Sequence, residues 1–125
     1  MFLLDTNVVS ELRRPERANA GVSRWAASEP LINFFISAIT VLELERGVLL
    51  AARKDAIQGA VLRSWLDQHV LPRFEGRIIS VDAAIARQCA RFRVADPRPE
   101  RDALIAATAL VHGMILVTRN VADFE

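Results

Sequence analysis

The chain has 125 residues, of which 52% are apolar and 25% charged, and its net charge is +1. This composition predicts one globular domain over 1–125 and excludes a disordered chain, and the near-zero charge excludes a uniformly basic nucleic-acid binder. The charge-free run 103–118 is shorter than the roughly 18 residues that a membrane helix needs. Asp5 interrupts the first apolar run before a signal peptide could form, and Cys89 has no disulfide partner, so we expect a cytoplasmic protein.

Apolar runs and helical periodicity predict short buried strands that alternate with longer helices. In chain order, the predicted elements are a strand at Phe2–Leu4, a helix from Asp5 to Pro15, a helix at Asn19–Ser28, a strand at Leu31–Ser37, a helix from Thr40 to Ala52, a helix at Ala56–Val70 ended by Pro72, a strand at Arg77–Ser80, a helix at Asp82–Val94, a helix at Glu100–His112 capped by Gly113, and a strand at Met114–Thr118. Strands that are apolar throughout need cover on both faces. The pattern therefore predicts a three-layer α/β/α sandwich with a central, mainly parallel sheet.

Four acidic residues follow strands or begin helices in this arrangement. Asp5 follows the first strand, Glu43 lies one turn into the third helix, Asp102 begins the last helix, and Asp123 follows the last strand. Parallel strands bring their carboxyl ends to one edge of the sheet, which is where ligands bind in such folds. Carboxylates that converge there would repel one another unless a cation or protons compensated them.

Each of these acids also has a simpler, structural interpretation. Asp5 is a suitable N-cap, Glu43 completes a capping box with Thr40, and Asp102 suits the positive end of a helix dipole. Asp123 lies in a sequence typical of a turn. If only these roles applied, the chain would be a catalytically inactive binding module, so the two hypotheses differ in whether the acids converge.

The predicted ligands are all oxygens, which favours Mg²⁺ or Mn²⁺. His69 and His112 are far apart in sequence and Cys89 is single, so zinc is disfavoured. A hard divalent ion suits phosphoryl chemistry, because it polarises the phosphoryl oxygens and activates a bound water. Glu45 lies only two residues from Glu43 on the same helix and so points elsewhere; we expect it to be solvated or paired with an arginine.

A phosphatase of the haloacid-dehalogenase type is a rival hypothesis, because its strand also ends on an aspartate. That chemistry requires a second aspartate two positions later, where this chain has Asn7. It also requires a lysine, and Lys54, the only one, lies within a predicted helix. The sequence therefore disfavours this alternative.

Four sequence blocks, LLDTNVVSELRRP, SAITVLELERGV, RDALIAATALVHGMILVTRN and VADFE, resemble in that order the motifs of PIN-domain ribonucleases. The similarity is greatest to VapC-type toxins of bacterial toxin–antitoxin pairs. It implies a metal-dependent endoribonuclease that hydrolyses RNA with a metal-activated water. By this resemblance Asp5, Glu43 and Asp102 are the first three metal-binding and catalytic acids.

The resemblance leaves the fourth acid open, between the position of Asn120 and that of Asp123. An amide is a poorer metal ligand than a carboxylate, so the role is assigned to Asp123 or to water. The resemblance also implies supporting roles for four polar residues: Thr6, Asn7, Thr118 and Asn120. Relatives of this kind usually continue beyond DFE into a last short strand, which the domain 1–125 is expected to lack.

The same resemblance implies a VapB-like antitoxin as the partner, whose C-terminal segment would cover the acidic face and place an arginine among the carboxylates. It further implies a homodimer, or a larger toxin–antitoxin assembly, without a membrane. Several arginines are expected to track an RNA backbone; the candidates are Arg13, Arg14, Arg17, Arg91, Arg93 and Arg98.

Overall fold

The computed structural model describes residues 1–14 and 20–119. Asn120, Asp123 and Arg17, together with the predicted boundaries at Pro15 and Asn19, lie outside these ranges. The predictions made for them therefore stay predictions.

The described residues form short strands and longer helices in the predicted alternation. The elements are β1 (Phe2–Leu4), α1 (Thr6–Glu11), α2 (Ala20–Ser28), a 3₁₀ turn (Leu31–Asn33), β2 (Phe34–Ser37), α3 (Ala38–Lys54), α4 (Ala56–Trp65), a π turn (Leu66–Val70), α5 (Leu71–Arg73), β3 (Ile78–Ile79), α6 (Ala83–Ala95), α7 (Glu100–His112) and β4 (Ile115–Val117). Gly113 ends α7 with φ of 65°, which is the left-handed conformation that a glycine cap supplies. Gly113 therefore has the predicted capping role.

The strands form one four-stranded sheet in the order β3-β2-β1-β4, and every paired strand is parallel. The central strand β1 aligns Phe2 with Phe34 of β2 on one side and with Ile115 of β4 on the other. The strands therefore all end at the same edge, and the prediction of a parallel sheet is confirmed.

Consecutive residues of β1 face opposite sides of the sheet, as the two-residue period of a strand requires. Leu4 packs in a core that contains Val8 of α1 and Leu44 of α3, whereas Leu3 packs against Ile105 of α7. Both leucines are almost fully buried, Leu3 at 0% exposure and Leu4 at 1%. Helices thus cover both faces, which confirms the three-layer α/β/α prediction.

The start of α3 differs from the sequence-based prediction. The helix begins at Ala38, and the Ser37 hydroxyl caps it by accepting a hydrogen bond of 2.9 Å from the Ile39 backbone N–H. Thr40 therefore lies inside the first turn and is not the cap, so the capping-box explanation of Glu43 is wrong. Ser37 takes the role because it is the last strand residue, with the extended backbone that an N-cap needs.

The predicted helix at 56–70 is longer and less regular than expected. It changes at Leu66 into a π turn and then continues as α5 through Arg73, one residue beyond Pro72. Pro72 lies at the start of α5, directly after the π turn, and the helix ends one residue later at Arg73. Within the described ranges, no helix is both long enough and apolar enough to cross a bilayer.

Candidate active site

Asp5 lies at the carboxyl edge of the sheet, held between β1 and β4. Its backbone N–H donates to the Val117 carbonyl at 2.9 Å. Its Oδ1 accepts from the Thr6 backbone N–H at 2.8 Å, and its Oδ2 accepts from the Thr118 hydroxyl at 3.0 Å. Asp5 is therefore the N-cap of α1, as the structural interpretation proposed, and it is also fixed by a residue 113 positions away.

Thr6 links the carboxylates of Asp5 and Glu43. Its backbone N–H donates to Asp5, and its hydroxyl lies 2.8 Å from Glu43 Oε1. An ionised carboxylate can only accept hydrogen bonds, so the Thr6 hydroxyl is the donor in the second contact. Thr6 thus contacts two predicted ligands, Asp5 through its backbone N–H and Glu43 through its side-chain hydroxyl.

Asp5, Glu43 and Asp102 line one open cavity of about 890 Å³. Thr6, Asn7 and Thr118 line the same cavity, so the structure brings together every predicted site residue that it describes. Asp102 lies in the first turn of α7, and its exposed side chain lines the cavity. The acids therefore converge on one space, as the metal hypothesis requires.

Glu45 points away from these acids, as predicted. Both of its carboxylate oxygens accept from the guanidinium of Arg63 in α4, one of them at 2.8 Å. This hydrogen bonding lowers the pKa of Glu45 below its usual value, and the Glu45 contact in turn raises the pKa of Arg63. Glu45 therefore joins α3 to α4 and contributes nothing to the cavity.

The donor set at this edge suits a hydrated Mg²⁺ or Mn²⁺ ion. Among residues 1–14 and 20–119, no three carboxylate, imidazole or thiol side chains lie close enough together to ligate one ion directly. Mg²⁺ is usually held by one or two carboxylates and keeps several waters, and the cavity has room for them. Asp5 and Glu43, already joined through Thr6, are the pair that fits this mode of binding.

Sequence reasoning missed three polar residues that line the cavity: Ser10, Glu11 and Arg119. Glu11 Oε2 is buried and lies 3.2 Å from Arg119 Nε. Asn7 lies three residues before Ser10 and four before Glu11, so all three share one face of α1. This spacing could have predicted that Ser10 and Glu11 face the cavity, but only once Asn7 is known to face it.

Arginines surround the acids. Arg13, Arg14, Arg98 and Arg119 line the cavity, and Arg101 Nη1 lies 3.9 Å from Glu43 Oε2. By contrast, Arg91 donates to Gln88 Oε1 and Arg93 to the Arg98 carbonyl. The cavity thus combines an acidic interior with a basic rim, which suits a polyanion bound together with a cation.

A parallel sheet covered on both faces, with carboxylates gathered at its carboxyl edge, defines the class of protein that the sequence blocks indicated. The PIN domain family matches residues 2–124, almost the whole chain. The chain belongs to the PIN-domain family.

Two named relatives match over the whole of this chain and most of their own length. The chain is 41% identical over 133 residues to the plasmid stability protein StbB of Pseudomonas syringae pv. tomato, covering 100% of this chain and 91% of that protein. It is 35% identical over 130 residues to the VapC ribonuclease Y4jK of Sinorhizobium fredii, with the same coverage of 100% and 91%.

Solved structures agree. FitAcB from Neisseria gonorrhoeae superposes with a TM-score of 0.87 at 39% identity, covering 99% of this chain and 91% of that chain. A toxin–antitoxin complex from Klebsiella pneumoniae superposes with a TM-score of 0.70 at 29% identity, covering 99% and 90%. The fold and the family therefore agree between sequence and structure.

Proposed function

We propose that this chain is the toxin of a toxin–antitoxin pair, an endoribonuclease that hydrolyses RNA phosphodiester bonds with a water activated by bound Mg²⁺ or Mn²⁺. The observation that carries the proposal is the convergence of Asp5, Glu43 and Asp102 on one cavity at the carboxyl edge of the sheet. It is supported by full-length similarity to a protein named a VapC ribonuclease.

Asp5 and Glu43 are the pair that would ligate the ion directly, and Asp102, which lines the same cavity, would hold it through a bound water. Asp123 is the proposed fourth acid. When bound, the ion supplies Lewis acidity and lowers the pKa of a coordinated water. Thr6 and Thr118 keep the Asp5 carboxylate in one orientation through two hydrogen bonds. We assign Asn7 and Asn120 supporting roles at the same edge.

The contrast between the acidic interior of the cavity and its basic rim favours RNA as the substrate. Arg13, Arg14, Arg98 and Arg119 line the cavity and can contact phosphates that flank the bond to be cut. The carboxylates would repel that RNA unless a cation lay between them and the scissile phosphate. The rim therefore binds the backbone, and the acids act on it only together with the ion.

The proposed partner is a VapB-like antitoxin, because one structural neighbour is described as a toxin–antitoxin complex. A guanidinium group of that partner, placed among the carboxylates, would compete with the ion. We further propose that the chain works in the cytoplasm as a homodimer, alone or within a larger toxin–antitoxin assembly.

The test is cleavage of total cellular RNA by the purified, antitoxin-free chain in Mg²⁺, in Mn²⁺ and in EDTA. We expect discrete fragments that require the metal and disappear in Asp5→Asn and Asp102→Asn. Asp82→Asn is the matched control, because Asp82 caps α6 by accepting from Ile85 N–H and Asn is an equally good cap. It should cleave like the unchanged chain.

Cleavage that persists in EDTA or in Asp5→Asn would contradict the proposed mechanism. A folded chain that binds RNA but never cuts it, with all three variants alike, would instead support the catalytically inactive binding module.

A further inference from the structure

Thr40 is a polar residue at the centre of the fold that the proposed mechanism does not yet use. It is fully buried, with 0% exposure, in the first turn of α3. Because Ser37 is the cap of that helix, the Thr40 hydroxyl is not needed there. It lies 3.0 Å from the Thr6 hydroxyl of α1 instead.

The direction of this contact follows from counting hydrogens. The Thr6 hydroxyl has one hydrogen, and Glu43 Oε1, at 2.8 Å, can only accept it. The Thr6 oxygen must therefore act as the acceptor towards Thr40, and the Thr40 hydroxyl donates. The result is a directed chain from Thr40 to Thr6 to Glu43, in which each bond polarises the next.

We propose that Thr40 is a positioning residue of this site: its hydroxyl orients Thr6, and through Thr6 it fixes the Glu43 carboxylate beside that of Asp5. The Thr6 backbone N–H binds Asp5 Oδ1, whereas its side-chain hydroxyl binds Glu43 Oε1, so loss of the Thr40 hydroxyl should disturb the second contact and leave the first. Thr40 is fully buried and does not line the cavity. The proposal rests on the proposed function in that the aligned pair serves an ion.

A matched control exists in the same chain. Thr108 is also fully buried in a helix, and its hydroxyl donates at 2.7 Å to the Leu104 carbonyl one turn earlier, the usual arrangement for threonine in a helix. Thr108→Val and Thr40→Val remove the same hydroxyl at the same burial with nearly equal volume. Only the second change should affect the carboxylates.

The first experiment titrates the antitoxin-free chain with Mn²⁺ and follows free Mn²⁺ by electron paramagnetic resonance. We expect Thr40→Val to weaken Mn²⁺ binding about tenfold or more, as the loss of a group that orients a ligand does. Thr40→Ser, which keeps the hydroxyl, should restore binding to within about threefold of the unchanged chain, and Thr108→Val should bind normally. RNA cleavage should follow the same order.

The second experiment needs no metal. Urea unfolding in EDTA is compared for Thr6→Val, Thr40→Val and the double variant, with Thr6→Val plus Thr108→Val as the control pair. We expect the losses of the first pair to be non-additive, because either change alone already breaks their shared hydrogen bond. The control pair should be additive.

The outcomes separate this proposal from the proposed function. Mn²⁺ binding that depends on Asp5, without RNA cleavage, would overturn the nuclease and leave the role of Thr40 to be judged by binding. Loss of binding and cleavage in Asp5→Asn, with both unchanged in Thr40→Val, would overturn the role of Thr40 and keep the nuclease. Additive effects of Thr6 and Thr40 would also overturn it, and a chain that binds no Mn²⁺ would overturn both.

Discussion

At the scale of single residues, the site is built from side chains that each perform a structural task as well. Asp5 caps α1 and also lines the cavity, and Glu43 accepts from Thr6 while it faces the same space. The structural and functional interpretations of Asp5 are therefore compatible. What separates them is the response of stability and of activity to the same substitution.

Asp5→Asn and Asp5→Ala are expected to differ in stability but agree in activity. Asn caps a helix as well as Asp does, so Asp5→Asn should unfold in EDTA at nearly the same urea concentration as the unchanged chain, while Asp5→Ala should lose about 1 kcal/mol. Both should lose metal-dependent cleavage, because neither provides a carboxylate. Urea unfolding beside the cleavage assay measures this. An active Asp5→Asn would leave Asp5 with the capping role alone.

Cys89 is a second residue whose environment predicts its chemistry. It is 4% exposed, and burial raises the pKa of its thiol. The folded chain therefore keeps Cys89 protonated where the unfolded chain already ionises, so this residue reduces stability as pH rises above the usual thiol pKa. We expect Ellman's reagent at pH 8 to label the thiol rapidly in urea and much more slowly in buffer. Equal rates would show that the residue is not enclosed.

At the scale of elements, two helices pack so closely that a single atom decides the contact. Gly59 of α4 faces Ala52 of α3, and a Cβ on Gly59 would lie 2.5 Å from both the Cα and the Cβ of Ala52. The obstructing atoms belong partly to the backbone and cannot rotate away. The pair α3–α4, which carries Glu43 on its first helix, therefore depends on this glycine.

Gly59→Ala is expected to cost about 1–3 kcal/mol of unfolding free energy, because it forces α3 and α4 apart. Gly47→Ala is the control within α3: a Cβ there meets nothing within 4 Å, so the gain in helix propensity should stabilise the chain by about 0.5–1 kcal/mol. Urea unfolding of both variants measures the contrast. If both variants were more stable than the unchanged chain, α3 and α4 would not pack as closely at Gly59 as the structure shows.

Glu45 and Arg63 join the same two helices by charge, and this link depends on pH. The pKa of Glu45 is lowered in the folded chain, so its contribution to stability is present above about pH 4.5 and is lost as the pH falls through the folded value. Glu45→Gln should therefore lower the urea midpoint at pH 7, and this difference should shrink as the pH falls below about 4.5. Asp67→Gln, whose contact with Arg63 is longer at 3.4 Å, should have the smaller effect.

At the scale of the whole molecule, the position of the charged residues matters more than the net charge. The net charge is only +1, yet arginines surround one acidic cavity. A polyanion is therefore attracted locally, while the rest of the surface provides little general affinity. Salt dependence of RNA binding is the measurement that reports this arrangement.

Arg14→Gln is expected to reduce the slope of log K against log salt for a single-stranded RNA by about 0.7, the value for one phosphate contact. Arg91→Gln is the control, because Arg91 is exposed and bonded to Gln88 rather than lining the cavity. It should leave the slope unchanged. Fluorescence anisotropy in Mg²⁺-free buffer measures both without cleavage. Equal slopes for the two variants would mean that RNA does not follow this rim.

The sequence alone determined the features that depend on near neighbours. Continuous apolar runs specified the strands, glycine specified the end of α7, and polar residues directly after Leu4 placed Asp5 at a strand end. These are short-range effects of backbone conformation and side-chain solvation, so they can be read within a window of a few residues. Even there, the start of α3 was misplaced by two residues, because Ser37 and Thr40 are both acceptable caps.

Only the tertiary structure decided which polar groups meet. Thr118 donates to Asp5 across 113 positions, Thr6 to Glu43 across 37, and Arg119 pairs with Glu11 from the far end of the chain. The Glu45–Arg63 pair likewise depends on how α4 packs on α3. The physical reason is that local conformational preference determines where an element begins and ends. Which element ends lie next to one another depends on the strand order β3-β2-β1-β4 and on burial of both faces of the sheet.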